Sequence, residues 1–206
     1  MVKQIFNMSL SAILLLSSNV IAADVGTVIV TVKQVEIEKK SERRAAKRGS
    51  GFSQNESIVT GDEARARLKF VDGTLTTLGE NTEFKVHRYQ AEGHQPNARM
   101  ELVKGAFRTI TGSITKTDNP DFKVDTPVGS IGIRGTDFWG GYLQPDAVDI
   151  LFIDGEHEIV VTNEYGSVIL KTPGQGTTIK SGEAPSAAKV WPQEKVAKAV
   201  KTITIE

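Results

Sequence analysis

Cysteine is absent from the 206 residues of this chain. That excludes a disulfide framework, thiol catalysis and cysteine-ligated zinc. Net charge is absent too, with 25 Lys and Arg against 25 Asp and Glu, so bulk charge does not draw the chain to nucleic acid. Aromatic residues make up only 6%, and none is interleaved with the basic run at 39–48, as base stacking would require. Beyond the N-terminal stretch, no apolar run approaches the roughly 20 residues of a spanning helix. Missing as well are a Gly-x-Ser-x-Gly elbow and a phosphate loop ending in Gly-Lys-Ser/Thr. His87, His94 and His157 stand far apart, at no ligand spacing. The run Asp118-Asn119-Pro120-Asp121 lacks the glycine and closing glutamate of a calcium loop. Neither a metal nor a cofactor is expected.

What is present begins with a secretory pattern. Lys3 supplies a positive start, residues 8–16 an apolar run broken by serines, and Val20-Ile21-Ala22-Ala23 a small-residue exit. Residues 1–23 are therefore expected to be a signal peptide, cleaved after Ala22 or Ala23, leaving no membrane anchor. A periplasmic destination follows, with an extracellular one as the alternative. An exported chain without cysteine must hold its fold by burial and hydrogen bonding alone.

From there the pattern is strand after strand. Residues 25–37 alternate apolar and polar, with Val28, Val30 and Val32 on one face. Residues 64–70 set Ala66, Leu68 and Phe70 inward against Arg65, Arg67 and Lys69 outward, and residues 83–87 set Phe84 and Val86 inward. Further strands are expected near 100–107, 121–125, 148–153, 158–162, 168–171 and 177–180. Turn signals separate them, among them Asp72-Gly73, Lys104-Gly105 and Asp154-Gly155. The fold class is all-β: short stacked strands forming a roll, a solenoid-like body or a sandwich.

Two segments break the pattern. Residues 39–48 (KKSERRAAKR) carry Lys39, Lys40, Arg43, Arg44, Lys47 and Arg48 against Glu42, and predict a long hairpin loop or a short surface helix. Such a run either guards a sheet edge against pairing or attracts an anionic glycan or lipid. Residues 191–206 open on Trp191-Pro192, which suits a helix start, with Val196 and Val200 spaced i and i+4. A short C-terminal helix or loose tail, able to cover an unpaired end strand, is expected there.

Glycine and β-branched residues crowd 126–138 (TPVGSIGIRGTDF). Gly132 and Gly135 suit strand and tight turn, and a β-branched residue at 135 should not be tolerated. Arg134 and Asp137 are placed to pair and fix that turn. The same structural duty falls to Asp72, Gly73 and Gly79 in the upstream turns. Asp137 is also the acid to test first, should the chain prove a hydrolase.

Residues 59–84 (VTGDEARARLKFVDGTLTTLGENTEF), 100–112 (MELVKGAFRTITG) and 122–138 (FKVDTPVGSIGIRGTDF) resemble, in order and spacing, the FecR domain. This is a bacterial β-rich module named after a regulator of iron-citrate uptake. Residues 26–32 add a weaker fourth match, and the resemblance is strongest over 25–153 of an expected domain at 24–190. It implies an exported module that binds a protein partner in the envelope or senses and relays a signal there. The family's named regulator carries a cytoplasmic sigma-factor-binding segment and a transmembrane helix. Where these would lie, the present sequence has the signal-peptide pattern, so the anti-sigma mechanism is not expected to carry over. The expected function is non-catalytic, with an unidentified envelope protein as partner; strand addition at a sheet edge is one route to it.

Overall fold

The computed structural model describes residues 23–205; the signal peptide expected over residues 1–23 lies, apart from Ala23, outside them. The first strands are β1 (Asp24–Val32), β2 (Val35–Lys39), β3 (Glu42–Ala45), β4 (Gly51–Ser53), β5 (Glu56–Thr60) and β6 (Arg65–Phe70). Next come β7 (Leu75–Leu78), β8 (Glu83–Gln90), β9 (Asn97–Lys104), β10 (Ala106–Ile110), β11 (Asp121–Thr126) and β12 (Gly129–Ile133). The chain ends with β13 (Thr136–Gln144), β14 (Ala147–Gly155), β15 (Ile159–Asn163), β16 (Gly166–Leu170), β17 (Gln175–Lys180), β18 (Lys189–Val190) and helix α1 (Gln193–Ile203). A 3-10 turn spans Ser113–Thr115.

These strands form two nine-stranded sheets. Sheet A has the order β18-β17-β14-β13-β10-β7-β6-β1-β4, and sheet B the order β16-β15-β12-β11-β9-β8-β5-β2-β3. The chain lays one or two strands in one sheet, crosses, and lays the next in the other. Both sheets therefore grow in the same direction, as in a solenoid. Neighbouring strands run antiparallel, with β9 and β11 the parallel exception.

Period-two alternation decides which side chains meet between the sheets. Ala66, Leu68 and Phe70 from sheet A and Phe84, Val86 and Met100 from sheet B are fully buried in one core. Phe84 meets Phe107 across it at 5.3 Å, and Phe70 stacks on Tyr89 at 4.3 Å. The segment 25–37 is two strands, because Lys33 turns into the left-handed region at φ 55° and sends β2 to the other sheet. A bulge between Val28 and Val30 breaks the alternation. Val28 is buried, while Val30 and Val32 are half-exposed.

Helix α1 does not sit on a sheet end as the sequence suggested; it covers the outer face of sheet A. Ala199 and Ile203, with Val196 beside them, pack on Ala106, Trp139 and Leu151, and Trp191 closes the cluster. Val200 faces solvent, 37% exposed. Trp139 Nε1 donates to Thr202 Oγ1 at 3.0 Å. Lys195 lies 4.0 Å from the Trp191 ring centroid and 2.6 Å from the buried Asp149 carboxylate. A β-carbon on Gly79 would lie 2.7 Å from the carbonyl oxygen of Thr202, so this glycine lets the helix approach the sheet.

Candidate functional site

Three successive crossings between the sheets share one rim of the sandwich. They are the 3-10 segment between β10 and β11, the turn between β12 and β13, and the link from β14 to β15. Between them lies a cleft of about 630 Å³, lined by Lys116, Asp118, Arg134, Asp137, Asp154, Glu156 and His157 among others. The sequence motif at 126–138 thus supplies one wall of the cleft. Gly135 takes φ +112°, a conformation open to glycine and strained for other residues. The end of β10 pins the turn: Thr136 N donates to Thr111 Oγ1 at 3.0 Å, and Thr111 N to Thr136 O at 3.3 Å.

The expected Arg134–Asp137 pair does not form. Asp137 instead accepts two bonds from Arg108 of β10, from Nε at 2.9 Å and Nη2 at 2.6 Å. Antiparallel pairing of β10 with β13 sets Ile110 opposite Asp137 and Arg108 opposite Trp139, so the two side chains meet on one face of adjacent strands. The carboxylate holds the Arg108 guanidinium above its usual pKa, mainly through the hydrogen bond, against the opposing effect of burial. Asp137 is therefore a structural anion already satisfied by a bidentate partner. Arg134 is exposed and left to face the cleft.

Asp72 does more than shape a turn. Gly73 beside it has φ +87°, while the carboxylate accepts four hydrogen bonds. Oδ1 takes Thr74 N at 3.0 Å and the Tyr89 hydroxyl at 2.6 Å; Oδ2 takes Thr74 Oγ1 at 2.9 Å and Ile114 N at 3.1 Å. One side chain thereby ties the β6–β7 turn to sheet B and to the 3-10 segment beside the cleft. Burial, and then the bond to Asp72, push the Tyr89 phenol above its ordinary pKa. Gly132 has ordinary backbone, and a β-carbon there would come no nearer than 3.7 Å to another residue; nothing in the structure explains a glycine at this position.

The basic segment 39–48 is neither a long loop nor a helix. It forms a tight hairpin in which Lys39 pairs with Glu42 across Lys40 and Ser41, with Lys40 at φ +56°. Its second strand, β3, is an edge of sheet B. Arg43 is tied to Glu36 and Glu38 at 3.5 and 3.0 Å. Arg44 reaches Glu56 at 3.1 Å and the Gly51 carbonyl at 2.9 Å. Lys39, Lys40, Lys47 and Arg48 have no ion pair among the described residues. The histidines stay apart: His157 lines the cleft, while His87 lies 2.7 Å from Glu101. Among the described residues no group of His, Asp and Glu could hold a metal ion.

Comparisons with known proteins bear on part of the body. Residues 56–157 match the family model described as FecR protein. The matched span runs from β5 to the third crossing at the cleft and omits β1, so the weaker resemblance at 26–32 falls outside it. Two crystal structures of a "putative anti-sigma factor" from Parabacteroides distasonis ATCC 8503, at 1.65 and 2.50 Å resolution, share the fold with a TM-score of 0.54. Identity is 17%, and the alignment covers 68% of this chain and 62% of theirs. The chain thus spans less than two thirds of the length of these structures. Comparison with curated proteins gives no match. Residues 56–157 of the chain are a FecR domain.

Proposed function

We propose that this protein is a non-catalytic interaction module of the bacterial cell envelope, exported to the periplasm, which docks a signalling or transport protein on the rim cleft. The observation that carries this reading is the fate of the charges there. Asp137, the one motif acid placed to act as a catalyst, is occupied by Arg108. The groups left facing the cleft, such as Arg134, Lys116, Asp118 and Glu156, are mixed in sign. Such a surface suits a polar protein face better than a single-charge ligand. The FecR match supports a sensing or signalling role, and the structural neighbours carry an anti-sigma description.

A photocrosslinker at Glu156 in cells tests this. One protein captured in the envelope fraction, and lost on Arg134→Glu, is the expected result. Equal capture with and without that substitution, or no capture, would sink the reading. Fractionation of the same cells tests the periplasmic destination.

A second reading rests on Lys39, Lys40, Lys47 and Arg48, which have no ion pair among the described residues and lie on and beside the edge hairpin. They suit an anionic glycan or lipid. Binding of that kind weakens steeply with salt and disappears when these four are neutralised. Cleft docking should survive their neutralisation.

A further inference from the structure

Each sheet of an open sandwich has two edge strands, and three of the four edges here are guarded. β4 is three residues long, with its Gly51 carbonyl occupied by Arg44. β18 has two residues. β3 carries Glu42, Arg43 and Arg44 in four residues. Shortness and charge are the usual protections against edge-to-edge pairing. The fourth edge, β16, has neither: its five residues, Gly-Ser-Val-Ile-Leu, contain no charge and no proline. Ile169 on it is 39% exposed, and Tyr165 just before it 53%.

The hairpin geometry shows which backbone groups are open. β15 and β16 close on Asn163 opposite Gly166 around Glu164-Tyr165. Residues flanking a two-residue turn exchange both backbone hydrogen bonds, and every second pair along the ladder does the same. Ser167 and Ile169 therefore turn their N–H and C=O away from β15. None of the other backbone hydrogen bonds among the described residues reaches them.

We propose that this edge pairs with the β16 strand of a second copy of the chain, antiparallel about a twofold axis through Val168. That register sets Ser167 opposite Ile169 of the other copy, twice, so that the four open N–H and C=O groups of each strand find partners. Self-pairing also satisfies charge. A twofold axis sets an edge against itself, so like charges near it would repel, and β16 carries none. Its flanks are Glu164 and Lys171. The antiparallel arrangement brings the acidic flank of one strand to the basic flank of the other, with Lys171 beside the Tyr165 ring. A five-residue ladder buries less than a standard interface, so the dimer is weak and reversible. It joins the two B sheets into one, far from the basic hairpin at the opposite edge. The inference does not depend on cleft docking.

Sedimentation velocity of the chain, over about 10 to 500 µM as befits a small interface, tests it. The mass should rise from one chain toward two. Ile169→Lys places a gatekeeper charge on the exposed face and should raise the dissociation constant about tenfold or more. Ser167→Pro removes an outward donor, leaves the β15 ladder intact and should act likewise; circular dichroism reports whether each variant is folded. Backbone hydrogen exchange at Ser167 and Ile169 should slow as concentration rises. A wild-type monomer over the whole range would overturn the proposal. So would a dimer indifferent to Ile169→Lys, or protection independent of concentration, which would mean that the edge is covered within one chain.

Discussion

Removing the Asp72 carboxylate should be costly out of proportion to its position in a surface turn. Asp72→Ala leaves Thr74 N, Thr74 Oγ1, Ile114 N and the Tyr89 hydroxyl without their acceptor. A hydrogen bond to a charged group contributes about 1.5–3 kcal/mol, but these four share one side chain and do not add. Asp72 is half-buried, so water replaces part of what is lost. Tyr89, 3% exposed, has little access to that water. The net loss should be about 3 kcal/mol. Tyr89→Phe removes one bond and leaves three on the carboxylate, and should cost about 1–1.5 kcal/mol. Asp72→Asn keeps one acceptor oxygen but turns an amide N–H₂ toward either Ile114 N–H or Thr74 N–H, and should fall between the two. Urea unfolding of wild type, Asp72→Ala, Tyr89→Phe and the variant carrying both changes gives the coupling directly. The double variant should be less destabilised than the sum by about 1 kcal/mol. Additivity within about 0.3 kcal/mol would show that the hydroxyl and the carboxylate do not depend on each other, and the reading of Asp72 as a pin would fail.

Other expectations follow from single contacts. Tyr89 and Tyr142 both have phenols raised by burial, so above about pH 10, the ordinary tyrosine value, the folded chain holds protons that the unfolded chain releases. Stability is therefore full below that pH and falls as pH rises; urea midpoints across the alkaline range should drop less in Tyr89→Phe than in wild type, and equal slopes would refute the assignment. Gly135→Val would set its β-carbon in contact with His157 and Thr115 at 3.4 Å, at a φ of +112°, so it should lose about 3 kcal/mol to backbone strain; an unchanged melting temperature would contradict the turn geometry. The chain has two tryptophans, both in the cluster beneath α1. Gly79→Val drives a side chain into the Thr202 carbonyl, so it should red-shift tryptophan emission while far-ultraviolet circular dichroism keeps its β signature; unshifted emission would mean the helix does not rest on Gly79.

Legibility in the sequence tracked how many faces of a strand are buried. Where one face meets the core and the other meets water, alternation is clean, and β6 and β8 could be read from Ala66, Leu68 and Phe70, and from Phe84 and Val86. Where α1 covers the outside of sheet A, both faces are apolar and the alternation disappears. β13 runs through Phe138 inward and Trp139 outward under the helix, then through Gly140 and Gly141, and its nine residues of strand show no period-two signal beyond the strand and tight turn expected over 126–138. Gly141 is a packing choice, since a β-carbon there would meet Ala106 at 2.6 Å. The short edges β3, β4 and β18 carry too few residues for any period to show.

The candidate site was harder still, because its geometry is set by register. Arg108 and Asp137 are 29 residues apart, and Arg134 is the nearer cation in sequence. Adjacency in the chain favoured the wrong pair; adjacency in the sheet decides the right one. The regularity that builds the cleft is nevertheless in the sequence. From β10 onward hairpins alternate between sheets, so each crossing returns to the same rim, near residues 112, 134 and 156. Each return brings glycine and charge together: Gly112 before Lys116, Arg134 before Gly135, and Gly155 before Glu156. A chain that must cross between sheets needs permissive backbone, and a rim left unpaired by either sheet must be hydrated. Those two requirements alone place polar, glycine-bearing turns side by side at intervals. The cleft is thus a consequence of how the fold advances, and what distinguishes one such protein from another is which charges its crossings leave free.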